Sequence, residues 1–318
     1  MKPNLFYLVG LPGSGKTYWA NSVRYNDPNT RIISSDAIRA ELWGDENDQR
    51  NPDKVFEVML ERTIEALKQR KDVVYDATNL VAKLRKNTLA AIRAKVDCTA
   101  HCLFMACCLS ECKRRQAERE RKVPDEVIDR MVRRFEAPWY NEGWDNIDII
   151  DCGKLQNVER EHWRILGESH DNPHHTASLG MHCVNCAFNI KDLIDNNDLF
   201  SSEMKEVIFE AAYQHDLGKY KTKAFSNSKG EPCDIAHYYN HNNVGAYLWL
   251  SGDSHEQWSV DNFLFIAVLI QWHMQPFFLR DESGEYRAKF SEWCIKKGFD
   301  REFYEAICAI HEADKAAH

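Results

Sequence analysis

The 318-residue chain lacks a low-complexity tract and an internal repeat. Its apolar start, Leu5–Val9, is too short for export and runs straight into a glycine-rich turn, so no leader is expected. No apolar run reads as long enough to cross a bilayer. The 11 cysteines are irregularly spaced, with Cys107 and Cys108 adjacent. Cys183 and Cys186 form a lone C-x-x-C with no second pair, which excludes a closed four-cysteine zinc site and leaves them as core thiols. These absences predict free thiols in a reducing cytoplasm. An overall basic surface is also missing. Net charge is −8, which argues against a long duplex-binding groove. Residues 1–150 hold 25 lysines and arginines against 23 acids, and residues 151–318 hold 16 against 26. Positive charge concentrates at 113–134, nine bases against five acids. That pattern suits a local anion site able to grip a polyanion at its end.

What is present begins at Leu5. A buried strand, Leu5–Val9, leads into Gly10-x-x-Gly13-Ser14-Gly15-Lys16-Thr17, which matches the phosphate-cradling pattern G-x-x-x-x-G-K-[ST] at every fixed position. A helix-competent segment follows, as the motif requires. The glycines let backbone N–H groups turn onto phosphate oxygens. Lys16 adds charge at the β- and γ-phosphates of ATP or another nucleoside triphosphate, and Thr17 a hydroxyl for Mg²⁺.

The first half alternates strand and helix signals. Strands are predicted at 5–9, 31–34, 72–76, 101–107 and 147–151. Helices are predicted at 17–25, 36–43, 53–70, 82–95, 110–120 and 124–136. This predicts an α/β domain over 1–152, a parallel sheet with helices on both faces, binding ligands at the carboxyl ends of its strands. Asp76 ends one such strand. After a connection at 153–172, helical periodicity dominates, with helices predicted at 178–195, 203–217, 237–250, 261–275 and 301–316. Residues 173–318 are thus expected to form an all-α domain.

Two motifs of the first half admit two readings each. Ser34-Ser35-Asp36-Ala37-Ile38-Arg39 is either a capped helix start or a general base, Asp36, with Arg39 holding the acceptor's anionic group. Arg115 and Arg119, four apart, belong either to a solvated charged helix or to a lid over the transferring phosphoryl group.

Four motifs in order resemble the 5′-polynucleotide kinase branch of the P-loop phosphotransferases: 10–17, Ser34–Arg39, Tyr75-Asp-Ala-Thr-Asn79, and Arg115-x-x-x-Arg119 before Val123-Pro124. The resemblance implies Asp36 as general base for a 5′-hydroxyl and Arg39 as clamp on the adjoining phosphate. It also implies Arg115 and Arg119 as lid contacts to the donor phosphates and Asp76 as a supporting acid. Gln116 departs from the asparagine common at that lid position.

In the second half, His215 continues the apolar stripe of Met204, Val207, Ile208 and Ala211, beside Asp216. His182 shares a stripe with Leu179, Cys183, Cys186 and Ile190. His241 is in register with Val244, Gly245 and Leu248, His273 follows the run Phe263–Ile270, and Asp314 is in register with Phe303, Ile307 and Ile310. Any one such histidine reads as a satisfied core residue. A buried carboxylate without a partner costs several kcal/mol, and a divalent metal centre accounts for the whole set at once.

The order His…His-Asp…His…His…Asp resembles the HD superfamily of metal-dependent phosphohydrolases, of the dinuclear type. The resemblance implies His182, His215, Asp216 and Asp314 around one metal, and Asp216 bridging to a second held by His241 and His273. Mn, Fe, Co, Ni or Zn suit such mixed sites. Lys219, His175 and His237, one turn before His241, are phosphate-contact candidates, or merely solvated side chains. A kinase joined to a phosphohydrolase resembles bifunctional RNA end-healing enzymes, here with the modules in reverse order. The resemblance implies a kinase acting on a 5′-OH end and a phosphohydrolase acting on a 2′,3′-cyclic, 3′- or 2′-phosphate. The products suit a ligase, and RNA ends are the expected partner. Two alternatives stand beside it: a small-molecule or toxin-type kinase with an HD nucleotidase, and a kinase regulated by an HD nucleotide-sensing module.

Overall fold

A computed structural model describes residues 2–120, 122–153, 165, 167–172, 177–252 and 257–317. Most of the 153–172 connection, and His175, lie outside the described residues. By packing, the chain divides into two compact units, 1–131 with 138–155, and 132–137 with 156–318.

The first unit is a five-stranded parallel sheet flanked by helices. Its strands are β1 (Asn4–Val9), β2 (Arg31–Ser34), β3 (Val73–Asp76), β4 (Thr99–Ala106) and β5 (Asn146–Asp151). Their order is β2-β3-β1-β4-β5. Leu5, Tyr7, Leu8 and Val9 are buried, as a central strand covered on both faces requires. Tyr7 pairs with Tyr75 in register, and their rings stack at 4.5 Å. Ser34 pairs with Asp76, so β2 and β3 end side by side and deliver their following loops to the same edge as the glycine loop.

The helices are α1 (Lys16–Asn26), α2 (Ser35–Trp43), α3 (Pro52–Lys68), α4 (Ala82–Arg93), α5 (Leu109–Ala117) and α6 (Asp125–Val132). The last two are shorter than expected. Pro124 disfavours helix at Val123, which keeps α5 and α6 apart. Beyond Val132 the chain turns, the Phe135 N–H donating to the Val132 carbonyl at 3.0 Å, and side chains take two further backbone groups. Asn243 donates to the Arg133 carbonyl at 3.0 Å, and the Ala137 N–H donates to Gln271 at 2.6 Å. Residues 132–137 therefore pack within the second unit and interrupt the stretch 1–152.

The second unit is mainly helical. Helix Leu179–Asp195 packs on Ser202–Gln214 and Arg301–Ala316, and His241–Leu250 packs on Val260–Trp272. The structure departs from the all-α expectation in one place, a two-stranded antiparallel ribbon of β6 (Ala224–Ser226) and β7 (Pro232–His237). It shortens the helix expected from 237, which starts at His241 after Asn240 turns left-handed at φ 60°. Helices Gln275–Leu279 and Arg287–Lys297 had no sequence counterpart. The second has little amphipathic contrast, with only Phe290 and Cys294 buried.

One further expectation needs correction. Val260–Leu279 is long and apolar enough to cross a membrane by length and composition. Here 61% of that window is buried inside the protein, and the segment breaks into two helices around His273. All eleven cysteines are free thiols, with Cys183 and Cys186 buried.

Candidate active sites

The phosphate loop follows from its glycines. Gly13 and Gly15 hold φ of +84° and +99°, which L side chains rarely adopt. A β-carbon on Gly13 would also lie 2.5 Å from the Cys112 carbonyl oxygen. Gly15 precedes α1 with no side-chain cap, so the first N–H groups of α1 stay available to an anion. Lys16 folds back, its Nζ donating to the carbonyls of Gly10 at 3.0 Å and Leu11 at 2.7 Å. Burial lowers its pKa, and Asp76 opposes that. Ser14 is fully buried inside the loop.

Asp76 closes β3 with its carboxyl 3.5 Å from Thr17 Oγ1. Burial raises its pKa, with Lys16 working against the rise. The pair fits Mg²⁺, whose hard charge favours a hydroxyl and a carboxylate that is costly to leave ionised alone. Asn79, left-handed at φ 52°, donates to the Leu8 carbonyl at 2.7 Å. Gly10 N–H donates to the Thr78 carbonyl, so the Tyr75–Asn79 motif is bolted to the start of the glycine loop. Behind it, buried Arg85 pairs with Glu142 through two nitrogens and donates to the Asn79 carbonyl at 3.0 Å. Nothing in the local sequence marks that pair, which joins residues 57 apart.

Asp36 and Arg39 form an ion pair at 2.8 Å in the first turns of α2. Ser34 occupies the cap position without a side-chain cap bond, while Asp36 is the acid of the first turn, where it faces the helix dipole. Asp36 is about half exposed while Arg39 is buried. Both line a cleft of about 510 Å³ together with Lys16, Thr17, Asp76 and Arg119. A second cavity of about 650 Å³, lined by Tyr18, Trp19, Ile150 and Cys152, shares Gly13, Gly15 and Arg119 with it.

Arg115 donates to Glu111 at 2.8 Å, to the Gly13 carbonyl at 3.3 Å and to the Cys152 carbonyl at 2.6 Å. Hydrogen bonds from Arg114 and Arg115 pull the Glu111 carboxyl down to about 2. Arg119 lies just past the end of α5, so the two arginines do not share one uninterrupted helical face. Gln116 is buried, and its side-chain oxygen accepts from the Val123 N–H at 3.3 Å. An asparagine, one methylene shorter, would not reach.

In the second unit the structure brings six predicted side chains together. His182 Nε2 is 2.9 Å from Asp314 and 3.5 Å from Asp216 Oδ2. His215 Nε2 is 3.3 Å from Asp216 Oδ2 and 3.6 Å from Asp314. On the other carboxylate oxygen, Asp216 Oδ1, stand His241 at 3.2 Å and His273 at 3.9 Å. Two groups have the spacing to hold an ion: His182, His215 and Asp314, and His215, Asp216 and His273.

Each ring is oriented by its other nitrogen. Nδ1 of His215, His241 and His273 lies 2.7, 2.9 and 2.7 Å from the carbonyls of Ala212, Tyr238 and Ile270. Nδ1 of His182 lies 3.4 Å from the Ala317 carbonyl. A carbonyl only accepts, so Nδ1 carries the proton and Nε2 turns a lone pair inward. Nε2 atoms then face each other at 3.3 Å for His182 and His215 and 3.2 Å for His241 and His273. A proton or a cation between them relieves that contact. Asp216 Oδ2 is buried with no donor at hydrogen-bonding angles, although Lys219 Nζ lies 2.6 Å away. An inward set of imidazoles and carboxylates with such an oxygen fits divalent cations. With only protons to supply charge, burial opposes ionisation, but His215 and Lys219 outweigh it and hold the Asp216 carboxyl well below the usual range. Burial likewise opposes charge on His215, but Asp216 prevails and raises its pKa well above the ordinary value. Burial keeps His273 neutral, down to about 3.

Gly218 makes this convergence possible. A β-carbon there would lie 2.0 Å from the His241 carbonyl oxygen and 2.6 Å from Gly245 N. Only glycine lets the backbone after His215-Asp216 touch the helix that begins at His241.

Lys219 is buried, with its Nζ 5.4 Å from the centre of the Tyr238 ring. The Tyr238 hydroxyl donates to the His170 carbonyl. His170, unselected in the sequence, packs edge-on against His182 at 5.5 Å, and burial lowers its pKa to about 4. His237 ends β7 and is therefore not one helical turn before His241. Its ring is parallel to that of Tyr239 at 5.3 Å. His237, Tyr239, Lys219, His241, Asp216 and Asp314 all line a cavity of about 570 Å³.

Residues 5–138 match a family model described as an AAA domain. A curated relative, L-seryl-tRNA(Sec) kinase of Methanococcus maripaludis, is 26% identical over 151 residues. That match covers 46% of this chain and 57% of the relative. Among solved structures, a Pnkp1/Rnl/Hen1 RNA repair complex is similar at 24% identity and TM-score 0.36, over 41% of this chain and 42% of that one. A fungal RNA kinase is similar at 16% identity and TM-score 0.39, over 67% of this chain and 50% of that one. The chain thus spans about half the length of the relatives it matches. Its first unit is an α/β P-loop domain with a parallel sheet.

Proposed function

We propose that this protein heals nucleic-acid ends by two reactions: ATP-dependent phosphorylation of a 5′-hydroxyl, and metal-dependent hydrolysis of a 2′,3′-cyclic, 3′- or 2′-phosphate. The observation that carries this reading is the joint presence, in one chain, of a phosphate loop beside the Asp36–Arg39 pair and a six-residue imidazole–carboxylate cluster. On a small metabolite, adding and removing phosphate would cancel. On a broken strand the two reactions act at different ends and leave termini that a ligase can join.

In the kinase reaction the loop amides and Lys16 hold the donor phosphates, and Thr17 and Asp76 hold Mg²⁺. Asp36 takes the proton of the attacking hydroxyl. Arg39 binds the adjoining phosphate of the acceptor, and Arg115 with Arg119 closes on the donor. Arg115, bonded to the Gly13 and Cys152 carbonyls, exchanges those partners for phosphate oxygens. In the hydrolytic reaction His182, His215, Asp216 and Asp314 hold one cation, and Asp216, His241 and His273 the second. Bound cations there acidify water and neutralise phosphoryl charge. Lys219 meets the phosphate. His175 is a further phosphate contact on the sequence pattern alone.

The test offers an RNA oligonucleotide carrying 5′-OH and 2′,3′-cyclic phosphate ends, with ATP, Mg²⁺ and Mn²⁺, and reads both termini. A DNA strand and serine-charged tRNA, the latter suggested by the kinase relative, are the parallel acceptors. Phosphorylation of serine-charged tRNA without phosphorylation of 5′-OH ends would replace the first half of the proposal. Cyclic, 3′- and 2′-phosphate ends all left unchanged would remove the second.

A further inference from the structure

The five-residue turn His237–His241 does two things at once. Tyr238 points inward: its hydroxyl meets the His170 carbonyl, its ring faces Lys219, and its carbonyl orients the His241 ring at 2.9 Å. His237 and Tyr239 flank it at i−1 and i+1, and side chains two apart share a face in extended backbone. Their rings lie parallel, 10° apart, and Tyr239 is 39% exposed. The shelf they make lines the same cavity as Lys219, Asp216 and Asp314.

Among the described residues lining that cavity, Lys219 is the sole lysine or arginine, and it already meets Asp216 at 2.6 Å. Glu136, Asp216 and Asp314 line it too. Cations held by the cluster would bind only the phosphate, and the cavity offers no other side-chain cation for the rest of a nucleotide, so discrimination among phosphate esters must draw on contacts to the neutral part of the ligand. The pair of half-buried His237 and exposed Tyr239 supplies one, because every base has a π-face.

We propose that the His237–Tyr239 pair is the shelf on which the base of the terminal nucleoside stacks while its phosphate is presented to the cation cluster and Lys219. This rests on the phosphohydrolase reading above, and it makes His237 a base contact instead of a phosphate contact. Tyr239 is the outer face of the shelf and selects phosphate esters that carry a base over bare sugar phosphates.

The experiment compares wild type, Tyr239→Ala and Tyr239→Phe in the full chain. The probes are a nucleoside 2′,3′-cyclic phosphate and the same ribose cyclic phosphate without a base. Selectivity, the ratio of kcat/KM for the two probes, should fall about tenfold in Tyr239→Ala, the scale of one base–aromatic stack, and return in Tyr239→Phe. Calorimetric titration of a nucleoside 3′-monophosphate into chelator-treated protein should show a similar weakening of Kd in Tyr239→Ala. Unchanged selectivity together with unchanged Kd would overturn the shelf while hydrolysis stands. A Tyr239-dependent Kd in a protein that opens neither cyclic probe and releases no phosphate from the nucleoside 3′-monophosphate would end the phosphohydrolase reading and leave the shelf in place.

Discussion

The two units build their candidate sites in opposite ways. The first uses backbone. Its loop places N–H groups at the start of α1, and the loop's one side-chain cation, the half-buried Lys16, is held by two carbonyls. The second uses side chains drawn from five different positions in the fold, each imidazole aimed by a carbonyl on its far nitrogen. A backbone site needs contiguous residues with unusual dihedrals, so it is compact in sequence. A side-chain site needs only that helices converge, so its members can be scattered from His182 to Asp314. The difference predicts how each site fails.

The largest effect should come from exchanging losses between the units. Lys16→Ala or Asp36→Ala is expected to lower 5′-phosphorylation by ~10³-fold or more while phosphate release persists. His215→Ala or Asp216→Ala is expected to do the converse. Radiolabel transfer and phosphate release measured on the same preparations check both, and a folded mutant that loses both activities breaks the comparison.

Next is Gly218→Ala. The clash with the His241 carbonyl forces the two backbones apart, at a cost of about 3 kcal/mol. Phosphate release and metal binding should fall together, with kinase activity retained. A variant that binds metal normally would show that the close approach does not matter.

Chelation follows. If cations neutralise the inward Nε2 atoms, removing them should lower the second unit's melting transition by an amount equivalent to ~3 kcal/mol at saturating metal. The first unit's transition should stay within error without nucleotide. Calorimetry reads both, and a transition indifferent to chelator would sink the metal centre.

The smallest effect concerns pH. Burial raises the Asp76 pKa, so the folded state prefers the neutral carboxyl. The stability this lends is complete below the ordinary carboxylate range and is lost as pH rises through the raised value. Asp76→Asn should therefore stabilise the nucleotide-free protein by ~1 kcal/mol at pH 8 and give no gain near pH 3. Thermal melts across that range check the sign. The same variant should lose kinase activity, because Mg²⁺ needs the carboxylate.

Much of this was legible before any coordinates. The glycine loop, the five strands and most helices sit within a few residues of their predicted places, because period and turn chemistry are local. The six cluster residues were recognisable as polar groups on apolar helix stripes. Other features were hidden for a physical reason. The β6–β7 ribbon is short, half exposed and bounded by a turn, so it has no periodicity to read. It moved His237 off the helix and changed what its ring does. The Arg85–Glu142 pair and the Gln116 contact join distant or singly placed residues. Val260–Leu279 has the composition of a membrane span, and only its burial against other helices shows it as protein core.

Sequence alone determined the phosphate loop, since positive φ at Gly13 and Gly15 and the charge of Lys16 are properties of adjacent residues. It also determined which imidazoles and carboxylates would face the core. Tertiary structure decided which of them meet. Convergence depends on Gly218 letting two backbones touch and on the Ala317 carbonyl reaching the His182 ring from the far end of the chain. Those are distances between segments, and no local pattern encodes a distance of that kind.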